Sequence, residues 1–164
     1  MSLALARACI DHGKRLVYTS GCFNYGDRGA HWITEETPFE PSPLGEGHAK
    51  ITTELLRLHA SEGLDTVILS PGFVYGPGGM FKQSFVDTLD KGQLRVIGRG
   101  HNYWSSIHVD DLAAAFALAL ERAPSGATYN VVDDAPLTLR ELVDNLTDAL
   151  GKNGWATSRP GLWG

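Results

Sequence analysis

Short apolar runs alternate with amphipathic stretches along the chain, and glycine and proline residues separate them. Residues 15–20 and 64–70 are rich in β-branched, aromatic and aliphatic side chains, which is typical of buried strands. Residues 45–61, which lie between these two runs, have the periodicity of a helix. Strands that alternate with helices of about ten to eighteen residues predict βαβ units, and therefore an α/β fold built on a parallel sheet.

The rest of the chain continues this alternation. We predict further helices at residues 3–12, 80–90 and 139–150, a helix that Asp110 caps and that runs to Leu120, and strands at residues 94–97, 105–109 and 128–132. Thr138 and Glu141 have the spacing of a capping box. Residues 21–44 and 98–104 are predicted loops, and the first is long enough to be typical of a functional loop. Residues 152–164 show no clear periodicity.

The composition is that of a soluble globular protein and argues against several functions. The chain has 164 residues, 43% apolar and 20% charged, which predicts one domain or part of one. A net charge of −5 with scattered basic residues argues against nucleic-acid binding, and no apolar run is long enough to cross a membrane. Six histidines without ligand-like spacing predict no metal site. Two cysteines and no signal-peptide pattern predict reduced thiols and a cytoplasmic location.

Charged residues form a stripe on the predicted helix of residues 45–61. Glu46, Lys50 and Glu54 are spaced four apart and therefore lie on one face of that helix. Composition alone favours a solvated row of ion pairs, each worth roughly a few tenths of a kcal/mol. The flanking segments give Lys50 a second interpretation.

Small and polar residues end the first two predicted strands, as Thr19-Ser20-Gly21 and Ser70-Pro71-Gly72. Ligands of parallel sheets bind beyond the carboxyl ends of the strands. A glycine at such an end lets a ligand approach the backbone closely. Turn geometry alone would also explain the glycine at either strand end taken singly. It explains less well why both strand ends have one.

Five segments match the motifs of one family in the order in which that family has them. Residues 16–27 (LVYTSGCFNYGD) match its strand and loop with the catalytic Ser/Thr, residues 50–54 (KITTE) the end of its Tyr-x-x-x-Lys helix, residues 69–78 (LSPGFVYGPG) its Arg-Pro-x-x-Val-Tyr-Gly-Pro-Gly segment, residues 107–113 (IHVDDLA) its HVDDLA element and residues 129–131 (YNV) a late strand. Over residues 15–150 the chain resembles the extended short-chain dehydrogenase/reductases, the NAD-dependent epimerase/dehydratase family.

The resemblance implies the second half of a Rossmann-like, doubly wound parallel sheet with a small C-terminal substrate-binding portion. Residues 1–164 would form one incomplete domain, in which residues 1–79 supply the sheet portion and the Lys50 helix. Residues 80–164 would lie mainly on the substrate side. The implied cofactor is NAD or NADP, and the implied substrate is a sugar nucleotide or a small carbonyl compound.

The resemblance also implies roles for individual residues. The catalytic positions are Lys50 and Glu46, and Lys50 would hold the hydroxyls of the nicotinamide ribose. The implied cofactor contacts are Thr19 and Ser20 beside the nicotinamide and Pro71, Gly72 and Val74 at the carboxamide, and the implied substrate contacts are Tyr75, Trp104 and His108. Three alternatives stay open: a surface ion pair for Lys50, core packing for Tyr75 and Trp104, and a structural role for His108.

Three departures from the family pattern place standard catalysis in doubt. The chain has no Gly-x-x-Gly-x-x-Gly turn, which in the family binds the cofactor pyrophosphate. Glu46 stands where the family has its tyrosine acid/base, and a carboxyl group is a much stronger acid than a phenol. Gly21 stands at the Ser/Thr position, and Ser70 replaces the usual arginine. These features resemble an atypical branch of the family.

Two functions are therefore open for this chain. It is an epimerase, dehydratase or reductase whose remaining base is Glu46, His48 or a substrate group, with impaired chemistry. Alternatively it is a non-catalytic remnant or fragment that binds a ligand or another protein. The strand at residues 15–20 would lie at an exposed sheet edge, so we expect a piece of a longer gene product or pairing there, for example as a homo-oligomer.

Overall fold

The structure of the protein is a computed structural model, and it describes residues 2–152 and 155–158. Backbone contacts divide the chain into two units. One comprises the residues up to Gly72 together with Asp111–Val131, and the other comprises Phe73–Asp110 together with the residues from Val132 onwards. The predicted division near residue 79 stays a prediction.

The first unit is built on a three-stranded parallel sheet. Its elements are α1 (Ser2–Asp11), β1 (Leu16–Thr19), α2 (Glu46–Glu62), β2 (Thr66–Pro71), most of α5 (Val109–Arg122) and β7 (Thr128–Val131). The strand order is β1-β2-β7. Leu16 pairs with Thr66 and Ile68 with Thr128 in register. The predicted α/β class with a parallel sheet is therefore confirmed.

Apolar side chains cover both faces of this sheet. Ile68 packs with Leu55 and Leu58 of α2 and Ala6 of α1 on one face. On the other face Val67 and Leu69 pack with Ala119 of α5, and every residue of β2 is buried. Burial on both faces is what a central parallel strand requires, and it explains the aliphatic run Val67-Ile68-Leu69 in the sequence.

Within the described residues, the second unit contains three small two-stranded sheets. Its elements are β3 (Phe73–Tyr75), α3 (Gly79–Phe81), α4 (Asp87–Asp90), β4 (Arg95–Ile97), β5 (Tyr103–Trp104), β6 (Ser106–His108), β8 (Leu137–Thr138), α6 (Leu139–Ala149) and β9 (Ala156–Ser158). β3 pairs with β6 and β4 with β9 in parallel, whereas β5 and β8 are antiparallel. Phe85, Val96 and Val143 lie at its core.

Several predicted elements need correction. Asp110 does not cap its helix, because α5 already begins at Val109. The predicted helix of residues 80–90 is interrupted by a π-helical turn at Lys82–Val86. The predicted loop of residues 98–104 ends in the short strand β5. Ala156–Ser158 form a strand in the tail, where the sequence showed no periodicity. Residues 153–154 and 159–164 of that tail lie outside the described residues.

The predicted capping box and long loop are confirmed. Glu141 N donates to Thr138 Oγ1 at the start of α6, and Thr138 N donates to the Glu141 carboxylate. Residues 21–44 contain one short 3₁₀ turn at Cys22–Tyr25. Tyr25 is 1% exposed, and its hydroxyl donates to Asn130 Oδ1 of β7 at 2.8 Å. This bond fastens the start of the loop to the sheet.

Candidate functional site

The carboxyl end of β1 continues into a buried polar cluster. Ser20 is 5% exposed, and its N–H donates to the Leu69 carbonyl. Its hydroxyl lies 2.8 Å from Thr52 Oγ1 of α2 and accepts from Asn24 Nδ2 at 2.7 Å. Ser20 therefore faces α2, whereas Thr19 alternates with it along the strand and is exposed.

Tyr18 and His48 form a contact that the sequence did not indicate. The Tyr18 hydroxyl lies 2.9 Å from His48 Nδ1, which joins β1 to the first turns of α2. Burial raises the pKa of the Tyr18 phenol above its ordinary value. His48 was one of the candidate bases, and this contact places the titratable hydroxyl of Tyr18 against its imidazole ring. His48 lies one helical turn before Thr52, on the same face of α2. This four-residue spacing is the sequence signal that could have placed His48 beside β1.

Glu46 and Lys50 form an exposed ion pair near the beginning of α2. Lys50 Nζ lies 3.3 Å from Glu46 Oε2, and the two side chains are 78% and 54% exposed. Glu54 binds Arg57 instead, through two bonds of 2.8 Å, and this hydrogen bonding lowers the pKa of Glu54. The surface ion-pair interpretation of Lys50 thus describes its contact in this structure, and an exposed ammonium group is also free to turn to a ligand.

The backbone at the carboxyl end of β2 is hydrogen-bonded to β7. Pro71 and Gly72 are buried, and Gly72 N donates to the Val131 carbonyl at 3.0 Å. Among the described residues, Ser70 Oγ and Asn24 Oδ1 are buried without a hydrogen-bond partner. Buried polar atoms of this kind commonly bind an ordered water or a ligand group.

The predicted substrate residues lie together in the second unit, with different surroundings. The Tyr75 ring packs edge-on against His108, with centroids 5.2 Å apart. His108 Nδ1 accepts from Asp110 N at 3.3 Å. Trp104 packs edge-on against Phe73 at 4.9 Å, within the apolar core of that unit. Val74 pairs with Ile107 in the β3–β6 ladder.

A cavity of about 470 Å³ opens in the second unit. Of the predicted substrate residues, Tyr75 lines it. The remaining lining residues were not anticipated from the sequence: Phe81, Ser106, Asp133, Asp134, Ala135, Leu137, Leu142, Asn145 and Leu146. These residues come from β3, α3, β6, β8, α6 and the segment after β7, so no contiguous motif marks the cavity.

Of the predicted cofactor residues, two have exposed donor groups and two others already have hydrogen-bond partners within the protein. The Lys50 ammonium and the Thr19 hydroxyl are exposed and can donate to ribose hydroxyls. The Ser20 hydroxyl and the Gly72 N–H already have partners within the protein. The exposed donors of Lys50 and Thr19 suit a group that carries hydroxyls, and the roles assigned to all of the cofactor residues, these two included, stay predictions.

Other kinds of site find less support in the described part of the chain. There it shows no group of three or more histidine, cysteine, aspartate or glutamate side chains arranged to hold a metal ion. None of the helices described is both long and apolar enough to cross a membrane. Cys9 is buried, Cys22 is partly buried, and neither forms a disulfide within the described residues.

Known proteins provide an independent comparison. The model of the NAD dependent epimerase/dehydratase family matches residues 1–132. The chain is 35% identical over 135 residues to an uncharacterized protein of Sinorhizobium fredii, covering 79% of this chain and 33% of that protein. It is 32% identical over 157 residues to the 2-alkyl-3-oxoalkanoate reductase of Stenotrophomonas maltophilia, covering 88% of this chain and 47% of the reductase.

A solved structure with similar architecture is the dTDP-glucose 4,6-dehydratase of Streptomyces venezuelae, determined with NAD and TYD bound. The TM-score is 0.85 at 29% identity, over 96% of this chain and 51% of the dehydratase. The family resemblance and the Rossmann-like fold seen in the sequence are thereby confirmed. The chain spans between 33% and 47% of the length of the two curated relatives named above.

Proposed function

The chain belongs to the NAD-dependent epimerase/dehydratase family, and from that premise we propose that it is an NAD(P)-dependent epimerase, dehydratase or reductase. Its substrate would be a sugar nucleotide or a small carbonyl compound, and the reaction an isomerisation or an oxidoreduction. NAD and NADP are both open as cofactor. The observation that carries the proposal is the family match across the whole parallel sheet and α2, which includes Lys50.

The surroundings of Lys50 support a role in cofactor binding. The ammonium group is exposed, and its ion-pair partner Glu46 is exposed too, so the pair can open without burying a charge. Thr19, at the end of β1, is exposed on the same unit. The bound cofactor would supply hydride chemistry, and these side chains would orient its ribose.

The acid/base step is where we propose impairment. Glu46 occupies the tyrosine position, and its side chain is 54% exposed, so a solvated carboxyl group stands where the family has its phenol. His48 remains as a base, and its Nδ1 already lies beside the Tyr18 hydroxyl. A phenol and an imidazole in hydrogen-bond contact are able to pass a proton between them, as general acid/base chemistry requires.

A non-catalytic role is the second candidate. The Ser20 hydroxyl is used inside the protein, and Gly21 has no side chain to replace it. In that role the chain would bind a ligand or a protein without turning over substrate. We propose a small-molecule partner and a cytoplasmic location for either role, with homo-oligomers formed at the sheet edge and no nucleic-acid partner.

Titration of the purified chain with NADH, followed by nicotinamide fluorescence, tests the proposal. We expect saturable binding that Lys50→Gln weakens and that the matched exposed substitution Lys14→Gln leaves unchanged. Equal titration curves for the two variants would remove Lys50 from the cofactor site. No saturable signal at millimolar NADH would favour the non-catalytic role.

A further inference from the structure

Apolar and aromatic side chains form most of the cavity in the second unit. Its lining includes the aromatic residues Tyr75 and Phe81 and the aliphatic residues Leu137, Leu142 and Leu146. Tyr75 and Phe81 are tilted against each other with centroids 5.8 Å apart. A volume of about 470 Å³ lies in the range of small-molecule sites. Such walls favour a flat or alicyclic hydrocarbon skeleton, because its burial removes apolar surface from water.

The polar part of the lining is acidic or neutral. It consists of Ser106, Asp133, Asp134 and Asn145, and among residues 2–152 and 155–158 the lining includes no lysine or arginine. Ser106 Oγ donates to Asp133 Oδ2 at 3.2 Å, and Asp133 N donates to the Ser106 carbonyl. These two bonds hold the Asp133 carboxylate in place, with acceptor capacity left for a ligand.

Two carboxylates, with no lysine or arginine beside them in the described lining, bear on which ligands can enter. A nucleoside diphosphate would bring at least two negative charges beside the half-buried Asp133 and the exposed Asp134, and like charges repel. A hydroxyl group, in contrast, donates a hydrogen bond to a carboxylate, and such a charge-assisted bond is stronger than one between neutral groups.

We propose that this cavity binds an uncharged ring compound that carries a hydroxyl group, and that it does not admit nucleoside diphosphates. The ring contacts Tyr75, Phe81 and the leucines, and the hydroxyl donates to Asp133. As a statement about the substrate class, this assignment rests on the proposed function. Of the two substrate classes given there, it selects small carbonyl compounds and the corresponding alcohols over sugar nucleotides.

Ligand-detected NMR with three probes tests the assignment without any cofactor. The probes are 1-tetralol, its carboxylate counterpart 1,2,3,4-tetrahydro-1-naphthoate, and uridine diphosphate. We expect 1-tetralol to bind at least about tenfold more tightly than either anion. Equal or tighter binding of uridine diphosphate would overturn the proposal.

Two matched pairs of variants locate the binding. Ala135→Trp places a large ring in the cavity, and we expect it to weaken 1-tetralol binding by at least about tenfold, whereas Ala135→Ser should not. Asp134→Asn removes one charge from the lining and should strengthen naphthoate binding by about fivefold, whereas Asp148→Asn, on the same unit but outside the lining, should not. Unchanged affinities in Ala135→Trp and Asp134→Asn would show that the probe binds elsewhere.

The outcome is separable from that of the NADH titration. Failure of NADH to bind, together with selective 1-tetralol binding, would remove the enzymatic role and keep the cavity assignment. Binding of NADH without 1-tetralol binding would keep the family activity and return the substrate to the sugar nucleotides.

Discussion

Burial separates residues that the sequence motifs group together. Ser20 and Lys50 were both expected at the cofactor, and both lie on the first unit. Ser20 is enclosed by Thr52 and Asn24, whereas the Lys50 side chain is 78% exposed. A buried hydroxyl in this environment contributes to stability through satisfied hydrogen bonds, and an exposed ammonium group contributes little to stability.

Replacing Thr52 with valine tests the structural weight of the Ser20 cluster. The change keeps the shape of the side chain and removes the hydroxyl that lies 2.8 Å from Ser20 Oγ in a fully buried position. We expect the free energy of unfolding to fall by about 1–2 kcal/mol in urea denaturation. The neighbouring Thr53 is exposed, and Thr53→Val should change it by less than about 0.5 kcal/mol. Equal effects at both positions would contradict a role for the buried bond.

The sequence predicted the ion pair of Lys50 and could not predict the contact between Tyr18 and His48. Periodicity placed Glu46 and Lys50 one turn apart on a helix, and the ion pair followed from that spacing. The bond between Tyr18 and His48 joins residues thirty positions apart. It depends on how β1 and α2 pack and on side-chain rotamers, which single-sequence patterns do not encode.

At the scale of elements, two glycines lie at the beginning of α2. An added side chain would clash at one of them and would meet open space at the other. Gly45 is buried, and a Cβ added there would lie 2.2 Å from the Phe23 carbonyl oxygen. Its φ of −90° is accessible to any residue, so the requirement for glycine is close approach and not conformation. Gly47 is exposed in the first turn, and a Cβ there would meet nothing within 4 Å.

Alanine at these two positions should change stability in opposite directions. Gly45→Ala forces the helix away from the 3₁₀ turn that contains Phe23, and we expect a loss of about 2–3 kcal/mol in the free energy of unfolding. Gly47→Ala lowers the entropy of the unfolded chain, and we expect a gain of about 0.5–1 kcal/mol. Thermal or urea unfolding of both variants measures the difference, and a neutral Gly45→Ala would show that the close approach is relieved at little cost.

Elements with strong local signals were predictable, and those stabilised by distant contacts were not. The apolar run of β2 and the capping box at Thr138 both carry their structure in adjacent residues. The π-helical turn at Lys82–Val86 lies in a segment whose apolar positions also fit an ordinary helix. β9 is three residues long and exists through its pairing with β4, so its sequence alone gave no periodicity.

At the scale of the whole molecule, the open question is what covers the edge of the main sheet. In the order β1-β2-β7, β1 has β2 on one side and, within the described residues, no strand on the other. Leu16 N and Ser20 N donate to β2 or to the residue before it. Because alternate residues of a strand direct their N–H groups to opposite sides, the N–H groups of Val17 and Thr19 point to the open edge.

An edge with unpaired donors is a template for another strand, and we expect the purified chain to self-associate as its concentration rises. Thr19→Pro removes one outward donor and leaves the bonds to β2 in place, so it should weaken the association. Thr19→Val keeps the N–H and is the matched control, which should associate as the natural chain does. Sedimentation velocity over a series of concentrations measures the effect, with circular dichroism to verify that both variants fold. A natural chain that stays monomeric throughout, or a folded proline variant that associates as strongly as the valine variant, would mean that this edge is not the contact surface.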